Sequence, residues 1–186
     1  MVIKTSKELK DISDSNTALL IIDVQNGVLG EENETYNAET LLSNIEGLLK
    51  KARDTKTPII YVQHNEEKQL KPNTKRWQIH PRLTPKPCDL IIQKHHPSSF
   101  HDTNLEKELR KLQINRLVIC GLQTEWCIDS TVRHAYSLGF DVTLVEDAHS
   151  TTDTSTLSAA KVIDHHNRVL GGGFACLKSA KEIDFV

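Results

Sequence analysis

The sequence predicts an α/β fold with three layers, in which helices cover both faces of a mainly parallel sheet of about six strands. Short runs of Val, Ile and Leu alternate with segments of helical periodicity along the 186 residues. The runs are almost wholly apolar, as is typical of strands that are buried on both faces. Such alternation favours a parallel, Rossmann-like sheet. No repeat or linker composition divides the chain, so we expect one domain over residues 1–186.

Six apolar runs are predicted to form the strands. In chain order they are residues 18–23, 58–63, 90–93, 116–120, 142–145 and 174–177. Between the first two runs, apolar residues recur at helical spacing from Leu41 to Ala52. The first third of the chain is therefore predicted to be a β-α-β unit.

Three further helices are predicted in the second half of the chain. Thr103 and Glu106 have the spacing of a capping box, and the helix that follows is expected to end near Gln113. A second helix, over residues 124–138, is followed by a glycine that suits a left-handed C-terminal position. The third covers residues 154–170 and is followed by three glycines.

Charge and cysteine content restrict the partners and the location of the protein. The formal net charge is −2, so we expect no nucleic-acid partner and no membrane partner. The apolar run 18–22 is too short to span a bilayer, and the N-terminus has no apolar signal-peptide core. We therefore expect a cytoplasmic protein whose four cysteines stay reduced and whose partner is a small-molecule substrate.

One long segment, residues 64–89, contains several prolines and shows no periodicity. Irregular loops of this length in compact domains are usually functional. We expect it to form a lid or a wall of a pocket, although its path stays open.

Three polar residues follow apolar strands, at the edge where open parallel sheets bind ligands. Asp23 ends the first strand, Lys94 ends the third, and Cys127 lies in the first helical turn after the fourth. A helix N-terminus and a neighbouring ammonium both favour the thiolate, which is the reactive form of cysteine. A carboxylate beside them can accept the thiol proton and return it to a leaving group. These residues together predict a cysteine hydrolase.

Longer motifs around these residues resemble one family. They are DVQNG at 23–27, the lysine at 94 with SSF at 98–100, GLQTEWCIDST at 121–131 and RHAYSLGFDVTLVEDAHST at 133–151. In this order, from about residue 17 to 153, they are similar to the isochorismatase-like cysteine hydrolases, which include nicotinamidases, N-carbamoylsarcosine amidases and isochorismatases. The resemblance implies Asp23 as general base, Lys94 as the cation and Cys127 as nucleophile. It also implies a homo-oligomer.

The resemblance further implies a non-proline cis peptide bond between Leu122 and Gln123, and an oxyanion hole formed by the backbone N–H groups of Gln123 and Cys127. The expected reaction is attack of Cys127 on the amide or carbamoyl carbon of a small molecule, followed by hydrolysis of the thioester.

Two other functions stay open at this stage. One is hydrolysis of a vinyl ether, as in an isochorismatase, with Lys75, Arg76 and Arg82 holding the substrate carboxylates. The other is a non-catalytic binding or assembly module, since a fold does not guarantee a function. In that case Cys127 would be a buried helix cysteine and Lys94 a solvated loop cation.

Five residues are candidates for substrate contact: Gln25, Trp77, His95, Phe100 and Trp126. Gln25 could instead orient the loop of Asp23, and Phe100 and Trp126 could instead pack in the core.

We expect no metal and no cofactor. The nicotinamidases of the superfamily hold a metal with an Asp-x-His pair and another histidine, whereas this chain reads QHNEE from residue 63 to 67. The spacing of His64, His95, His96 and His101 matches no zinc signature. Whether any of these four histidines binds a metal stays open.

Overall fold

A computed structural model of the chain describes residues 16–30 and 35–185. The N-terminal stretch, where we expected no signal peptide, lies outside the described residues, so that expectation and the single domain over 1–186 stay predictions. No helix in the described ranges is long and apolar enough to cross a membrane.

Six strands form a sheet in which all neighbouring strands run parallel. They are β1 (Thr17–Ile22), β2 (Ile59–His64), β3 (Leu90–Lys94), β4 (Arg116–Leu122), β5 (Asp141–Ser150) and β6 (Cys176–Lys178). Their order across the sheet is β3-β2-β1-β4-β5-β6. The predicted α/β class and the six predicted strands are confirmed.

The strand β5 is longer than predicted. It continues past Val145 to Ser150 and pairs with the end of β4 after a register shift between Ile119 and Gly121. The sequence of the extension includes Glu146 and Asp147, and such a polar stretch lacks the apolar signal by which strands are predicted. Pairing with the neighbouring strand, rather than local composition, keeps this part extended.

Helices connect the strands on both sides of the sheet. They are α1 (Asn26–Leu29), α2 (Ala38–Asp54), α3 (Leu105–Lys111), α4 (Asp129–Ser137) and α5 (Ala159–Gly171), with 3₁₀ turns at Pro81–Leu83 and Ala180–Glu182. A π-helical turn, Thr124–Ile128, leads into α4. The helix predicted over 124–138 is therefore a π-turn followed by an α-helix.

The predicted start of the last helix at residue 154 is wrong. Oγ1 of Thr154 accepts hydrogen bonds from the backbone N–H groups of Thr156 and Leu157, at 3.2 and 2.9 Å. These bonds close a turn, because a threonine hydroxyl competes with the helical hydrogen-bond pattern. The helix α5 begins only at Ala159, whose N–H donates to Oδ1 of Asp153 at 2.8 Å.

The expected capping box at Thr103 is also absent. Its hydroxyl donates to the carbonyl oxygen of Ser99 at 2.7 Å and accepts the N–H of Leu105 at 3.2 Å. The helix α3 therefore starts at Leu105, one residue later than the box requires. It ends at Lys111, close to the predicted end, before Gln113 adopts a positive φ of 58°.

Two hydrophobic cores lie on opposite faces of the sheet. Alternate residues of β1 point to opposite faces, as in any strand. Leu19 and Ile21 pack in one core, with the apolar face of α2. Leu20 and Ile22 pack in the other, with residues of α3, α4 and α5. This arrangement confirms the three layers and buries the strand that carries Asp23 at its end.

Candidate active site

The candidate site lies where the strand order changes direction. The chain passes from β1 to β2 and β3 on one side, and β4 then returns to pair with β1 on the other. Helices leave opposite faces of the sheet at such a point and open a crevice at the carboxyl ends of the strands. Asp23 directly follows β1, and Gln123 directly follows β4.

A tight turn directs Asp23 into this crevice. Its φ is +52°, in the left-handed region that Asp tolerates better than most residues. Its N–H still donates to the carbonyl oxygen of Val62 at 2.9 Å, and its own carbonyl accepts the N–H of Gln25 at 2.8 Å. The carboxylate is therefore fixed to the end of the sheet, and the residue is only 2% exposed.

A π-turn carries Cys127. The N–H of Ile128 donates to the carbonyl oxygen of Gln123 at 3.1 Å, five residues back, as the π-helical pattern requires. The peptide bond between Leu122 and Gln123 is cis, at the position where the family resemblance implies one. Isolated π-turns frequently occur at functional sites.

Buried polar contacts anchor this π-turn. Oγ1 of Thr124 lies 2.9 Å from Nδ1 of His149 in β5, and Nε2 of the same histidine lies 2.8 Å from Oδ1 of Asn167 in α5. Because the amide oxygen can only accept, Nε2 carries the proton and Nδ1 accepts the threonine hydroxyl. Burial lowers the pKa of His149 to about 4, so the imidazole is neutral.

The side chain of Lys94 crosses the end of β2 to reach the site. It ends β3, two strands away from β1, and its backbone is in register with His64 at the end of β2. Its Nζ lies 2.7 Å from Oδ2 of Asp23 and 3.2 Å from Sγ of Cys127. The Lys94 side chain is fully buried. The structure thus brings together the three residues that sequence analysis selected.

The carboxylate of Asp23 is free to accept a proton. Both of its oxygens are buried, and Oδ2 forms an ion pair with Nζ of Lys94 at 2.7 Å. A buried carboxylate with unused lone pairs beside a thiol is suited to remove its proton.

The thiol form of Cys127 is favoured in the substrate-free site. The pKa of the thiol is raised to about 12, first by burial and then by the charge of Asp23, while the Lys94 ammonium lowers it. Lys94 therefore lowers the pKa of the thiol, as sequence analysis predicted, but its effect is smaller than that of burial. The proton has to leave during the reaction, and Asp23 is placed to take it.

A cavity of about 610 Å³ opens beside these residues. His64 and Gln123 line it, and His64 in turn contacts Lys94 at 2.9 Å. Leu70 and Arg76, from the irregular segment 64–89, form part of its wall. The prediction of a pocket wall agrees with this position.

The wall segment is held by side-chain amides. Nε2 of Gln25 and Nε2 of Gln63 each donate to the carbonyl oxygen of Trp77 at 2.8 Å. The N–H of Gly27 donates to the carbonyl oxygen of Arg76 at 2.7 Å, and a Cβ on Gly27 would crowd that residue. These contacts describe a fixed wall rather than a lid.

Two predicted substrate contacts are corrected by the structure. Gln25 is fully buried and its amide binds the backbone of His64 and Trp77, so it shapes the wall and does not line the cavity. Phe100 is 8% exposed and packs against Phe140 and His134 in the core. Both residues are needed for structure, the alternative that sequence analysis left open.

The other three predicted contacts lie outside the cavity wall. The indole N–H of the partly buried Trp77 donates to Oδ1 of Asn65 at 2.6 Å. His95 is exposed, and Trp126 is 58% exposed. Their roles in substrate binding stay predictions.

Among the residues that the structure describes, two groups of side chains have ligand atoms close enough to share a metal ion. Asp23, His64 and Cys127 form one, within the candidate site. His96, His101 and Asp102 form the other, in which the two stacked imidazoles lie 3.4 and 3.5 Å from one exposed carboxylate oxygen. The second group lies at the surface, where acidic groups commonly occur without an ion.

The residues at the end of β2 do not fit the nicotinamidase metal pair. The side-chain amide of Gln63 is bound to Trp77, as described above. The amide of Asn65 is bound to Trp77 through Oδ1 and to Gln93 through Nδ2, at 2.6 and 3.2 Å. Between them, Nδ1 of His64 faces Lys94 at 2.9 Å instead of a vacant ligand position.

Sequence reasoning missed two parts of the site. It considered His64 only as a metal ligand, although a histidine that ends the strand between those of Asp23 and Lys94 has to lie between their side chains. It did not identify the buried chain of Thr124, His149 and Asn167, because no local pattern connects residues so far apart in sequence. Knowledge of the strand order would have revealed the position of His64, but not the contacts among Thr124, His149 and Asn167.

Known proteins are similar to this chain in sequence and in fold. Residues 17–167 match the family model of the isochorismatase domain. The chain is 38% identical over 141 residues to the uncharacterized isochorismatase family protein YddQ of Bacillus subtilis, covering 73% of this chain and 78% of that protein. It is 32% identical to the secreted isochorismatase effector Isc1 of Verticillium dahliae, over 92% of each protein.

Two further likenesses concern reaction type and fold. The chain is 26% identical to the ureidoacrylate amidohydrolase RutB of Agrobacterium fabrum, covering 80% of this chain and 82% of that protein. A crystal structure of an isochorismatase family protein has a TM-score of 0.84 at 35% identity, covering 88% of this chain and 98% of that chain. With a family match across most of its length, the chain belongs to the isochorismatase family of hydrolases.

Proposed function

We propose that this protein is a cysteine-dependent amidohydrolase that cleaves the C–N bond of an amide or carbamoyl group in a small molecule. The observation that carries the proposal is the position of the Lys94 ammonium, 2.7 Å from the carboxylate of Asp23 and 3.2 Å from the sulfur of Cys127. A base and a nucleophile thus share one cation. The likeness to RutB, a relative named as an amidohydrolase, supports this type of bond.

In the first half of the reaction, Asp23 takes the proton of the Cys127 thiol while the sulfur attacks the carbonyl carbon. The carbonyl electron pair moves to oxygen, and the backbone N–H groups of Gln123 and Cys127 are proposed to stabilise this oxyanion. Collapse of the intermediate breaks the C–N bond. The nitrogen leaves with the proton held by Asp23, as ammonia or an amine, and a thioester remains on Cys127.

In the second half, Asp23 removes a proton from water, and the oxygen attacks the thioester carbon. The C–S bond breaks, the sulfur recovers the proton from Asp23, and a carboxylic or carbamic acid is released. The negative charge lies on the Asp23 carboxylate or on the Cys127 sulfur, and the ammonium of Lys94 is close to both. The positive charge therefore compensates the negative charge at each step.

The test is a screen of small amides and carbamoyl compounds for released ammonia or amine, with the wild type and Cys127→Ser. Loss of the nucleophile should lower turnover by about 10³-fold or more. Cys88→Ser, a change at an exposed cysteine, is the matched control and should retain full activity. Intact mass should detect an acyl adduct on Cys127 after rapid quenching; turnover that survives Cys127→Ser would contradict the proposal.

Hydrolysis of a vinyl ether is the second candidate. It is favoured by the name of the relative Isc1 and by Arg76, which lines the cavity and could hold a carboxylate. Arg82, another cation considered for this role, is instead paired with Glu39 and Glu46 at 2.9 and 2.6 Å. Turnover of isochorismate by both the wild type and Cys127→Ser would support this candidate over amide hydrolysis.

A further inference from the structure

His64 makes a direct contact with the proposed catalytic residues. Its Nδ1 lies 2.9 Å from Nζ of Lys94. The ammonium therefore has three neighbours, namely this nitrogen, the carboxylate of Asp23 and the sulfur of Cys127. An ammonium has three N–H donors and no acceptor, so one donor is available for each neighbour. His64 completes the surroundings of a cation that has no contact with solvent.

The imidazole is neutral, with its proton on Nε2. Burial lowers the pKa of His64, and the charge of Lys94 lowers it further. A neutral imidazole has one donor and one acceptor nitrogen. Because Nδ1 faces an ammonium, which can only donate, Nδ1 is the acceptor and Nε2 bears the hydrogen.

The backbone of His64 is held from both sides by a single side chain. Oε1 of Gln25 accepts the N–H of His64 at 2.8 Å, and Nε2 of Gln25 donates to its carbonyl oxygen at 3.0 Å. Gln25 itself is fully buried. This pair of bonds fixes the position of the histidine at the end of β2. A fixed position is needed if the histidine is to hold the lysine side chain in place.

His64 also belongs to the wall of the cavity. His64 lines the 610 Å³ cavity together with Gln123, whose N–H is part of the proposed oxyanion hole. Nδ1 is directed to Lys94, and no group of the described residues hydrogen-bonds to Nε2. We propose that His64 is a positioning residue that holds the Lys94 ammonium through Nδ1, and that its Nε2–H donates to a carbonyl or carboxylate oxygen next to the scissile amide.

This inference rests on the proposed cysteine mechanism and specifies the substrate further. An N–H donor beside the attacked carbon selects an amide that carries a second oxygen acceptor close to the bond that is cleaved. Arg76 lies on the same cavity wall and adds a positive charge. The substrate class is therefore an amide or carbamoyl compound with a neighbouring carbonyl or carboxylate group.

Two isosteric substitutions separate the two roles of His64. In His64→Asn, the amide oxygen can take the place of Nδ1, but nothing replaces Nε2–H. In His64→Gln, the amide nitrogen can take the place of Nε2–H, but nothing replaces Nδ1. His165→Gln, at an exposed histidine in α5, is the matched control.

The probes are iodoacetamide and iodoacetate, and the readout is the rate of alkylation of Cys127 against pH, measured by peptide mass. We expect His64→Asn to keep the iodoacetamide profile of the wild type, whereas His64→Gln reacts about tenfold more slowly at neutral pH, because a hydrogen bond to a charged group is lost. The ratio of iodoacetate to iodoacetamide rates should fall about tenfold in His64→Asn and stay unchanged in His64→Gln.

Equal behaviour of the two variants, or wild-type behaviour in both, would overturn the inference. A merely structural role is also distinguished, because loosening of the site would expose Sγ and speed alkylation by both probes. The readout needs no substrate, so it separates this inference from the proposed function. Loss of amide turnover in Cys127→Ser combined with unaffected His64 variants would leave the function intact and remove the role of His64.

Discussion

Gly121 and Ile22 pair in register at the ends of β4 and β1, and their backbones are so close that a Cβ on Gly121 would overlap the carbonyl oxygen of Ile22. The φ of Gly121 is +124°, a conformation that L side chains rarely adopt. Asp23 follows Ile22, and the cis peptide bond to Gln123 follows one residue after Gly121. The spacing of the two halves of the candidate site therefore depends on the missing side chain of one glycine.

Replacing Gly121 by Ala should destabilise the protein strongly. The added methyl group meets backbone atoms of Ile22, which cannot move aside as a side chain can. We expect the free energy of unfolding to fall by about 3 kcal/mol or more, measured by urea titration. Gly173→Ala is the control, since no atom lies within 4 Å of a Cβ there, and it should change stability by less than about 1 kcal/mol. Equal effects of the two changes would refute the argument.

Replacing Asp23 by Asn should speed alkylation of Cys127 and abolish turnover. The charge of Asp23 raises the pKa of the thiol, so without it the ammonium of Lys94 is unopposed and the pKa falls. We expect iodoacetamide to react about tenfold faster at pH 7, since one pKa unit changes the thiolate fraction tenfold. Amide hydrolysis should nevertheless fall by about 10²-fold or more, because the proposed general base is lost.

The exposed thiol of Cys88 provides an internal control for these rates, since it lies far from the charges of the site. The wild-type rate at Cys127 should keep rising with pH beyond pH 9, because burial raises the thiol pKa to about 12. A plateau near pH 7 in the wild type, or slower labelling in Asp23→Asn, would show that the electrostatic interpretation is wrong.

Removing the ammonium of Lys94 should create a metal site. Ligand atoms of Asp23, His64 and Cys127 lie within 4.8 Å of one another, and Nζ of Lys94 contacts all three residues. Oxygen, nitrogen and sulfur ligands of this kind suit Zn²⁺ and similar ions. Lys94→Met is expected to bind Co²⁺ or Zn²⁺ about 100-fold more tightly than the wild type, because a buried cation no longer repels the ion.

Cobalt absorption measures this binding without any assay of activity. One equivalent of Co²⁺ should produce a sulfur-to-metal charge-transfer band in Lys94→Met. The band should disappear in Lys94→Met/Cys127→Ser, while Lys111→Met, which removes a lysine on the exposed side of α3, should behave as the wild type. Equal affinity of the wild type and Lys94→Met would contradict the idea that the ammonium occupies the position of an ion.

Stability should decrease in acid because of His149. Burial lowers its pKa from 6.5 to about 4 in the folded protein. Below pH 6.5 the unfolded chain takes up a proton at this residue, whereas the folded protein does so only near pH 4. The free energy of unfolding should therefore fall across this window, by on the order of 3 kcal/mol in total from this residue.

The measurement is urea unfolding at pH 7.0 and pH 4.5, with the wild type and His149→Gln. The variant should be less stable at pH 7, because the contacts of Thr124 and Asn167 are weakened, but should lose less stability on acidification. His165→Gln, at an exposed histidine, should show the wild-type difference between the two pH values. The same acid loss in His149→Gln as in the wild type would exclude this role.

The strands were predictable because each is a short apolar run between polar segments, and burial on both faces of a parallel sheet requires such runs. The polar end of β5 was not predictable in this way, since pairing with β4 keeps it extended. The start of α5 was missed for a local reason, because the hydroxyl of Thr154 closes a turn that helical periodicity does not reveal.

The residue types of the candidate site were also predictable, because Asp23, Lys94 and Cys127 each follow an apolar strand and parallel strands end at one edge. Their distances were not, since these depend on the order of the strands. Placing β2 between β1 and β3 put His64 beside the ammonium and gave it a contact at 2.9 Å. The same packing buried Gln25 and Phe100, which sequence analysis had named as candidates for substrate contact with a structural role as the alternative.

Local pattern was thus enough for the fold class, the strands and the selection of three residues at strand ends, because hydrophobic periodicity and strand ends are properties of neighbouring residues. Tertiary structure alone decided which side chains are in contact and how deeply they are buried. It also decided whether the thiol or the thiolate of Cys127 is favoured. Burial and contact between distant residues arise only when the whole sheet is assembled, and they set the protonation of the Cys127 thiol and of the His64 and His149 side chains.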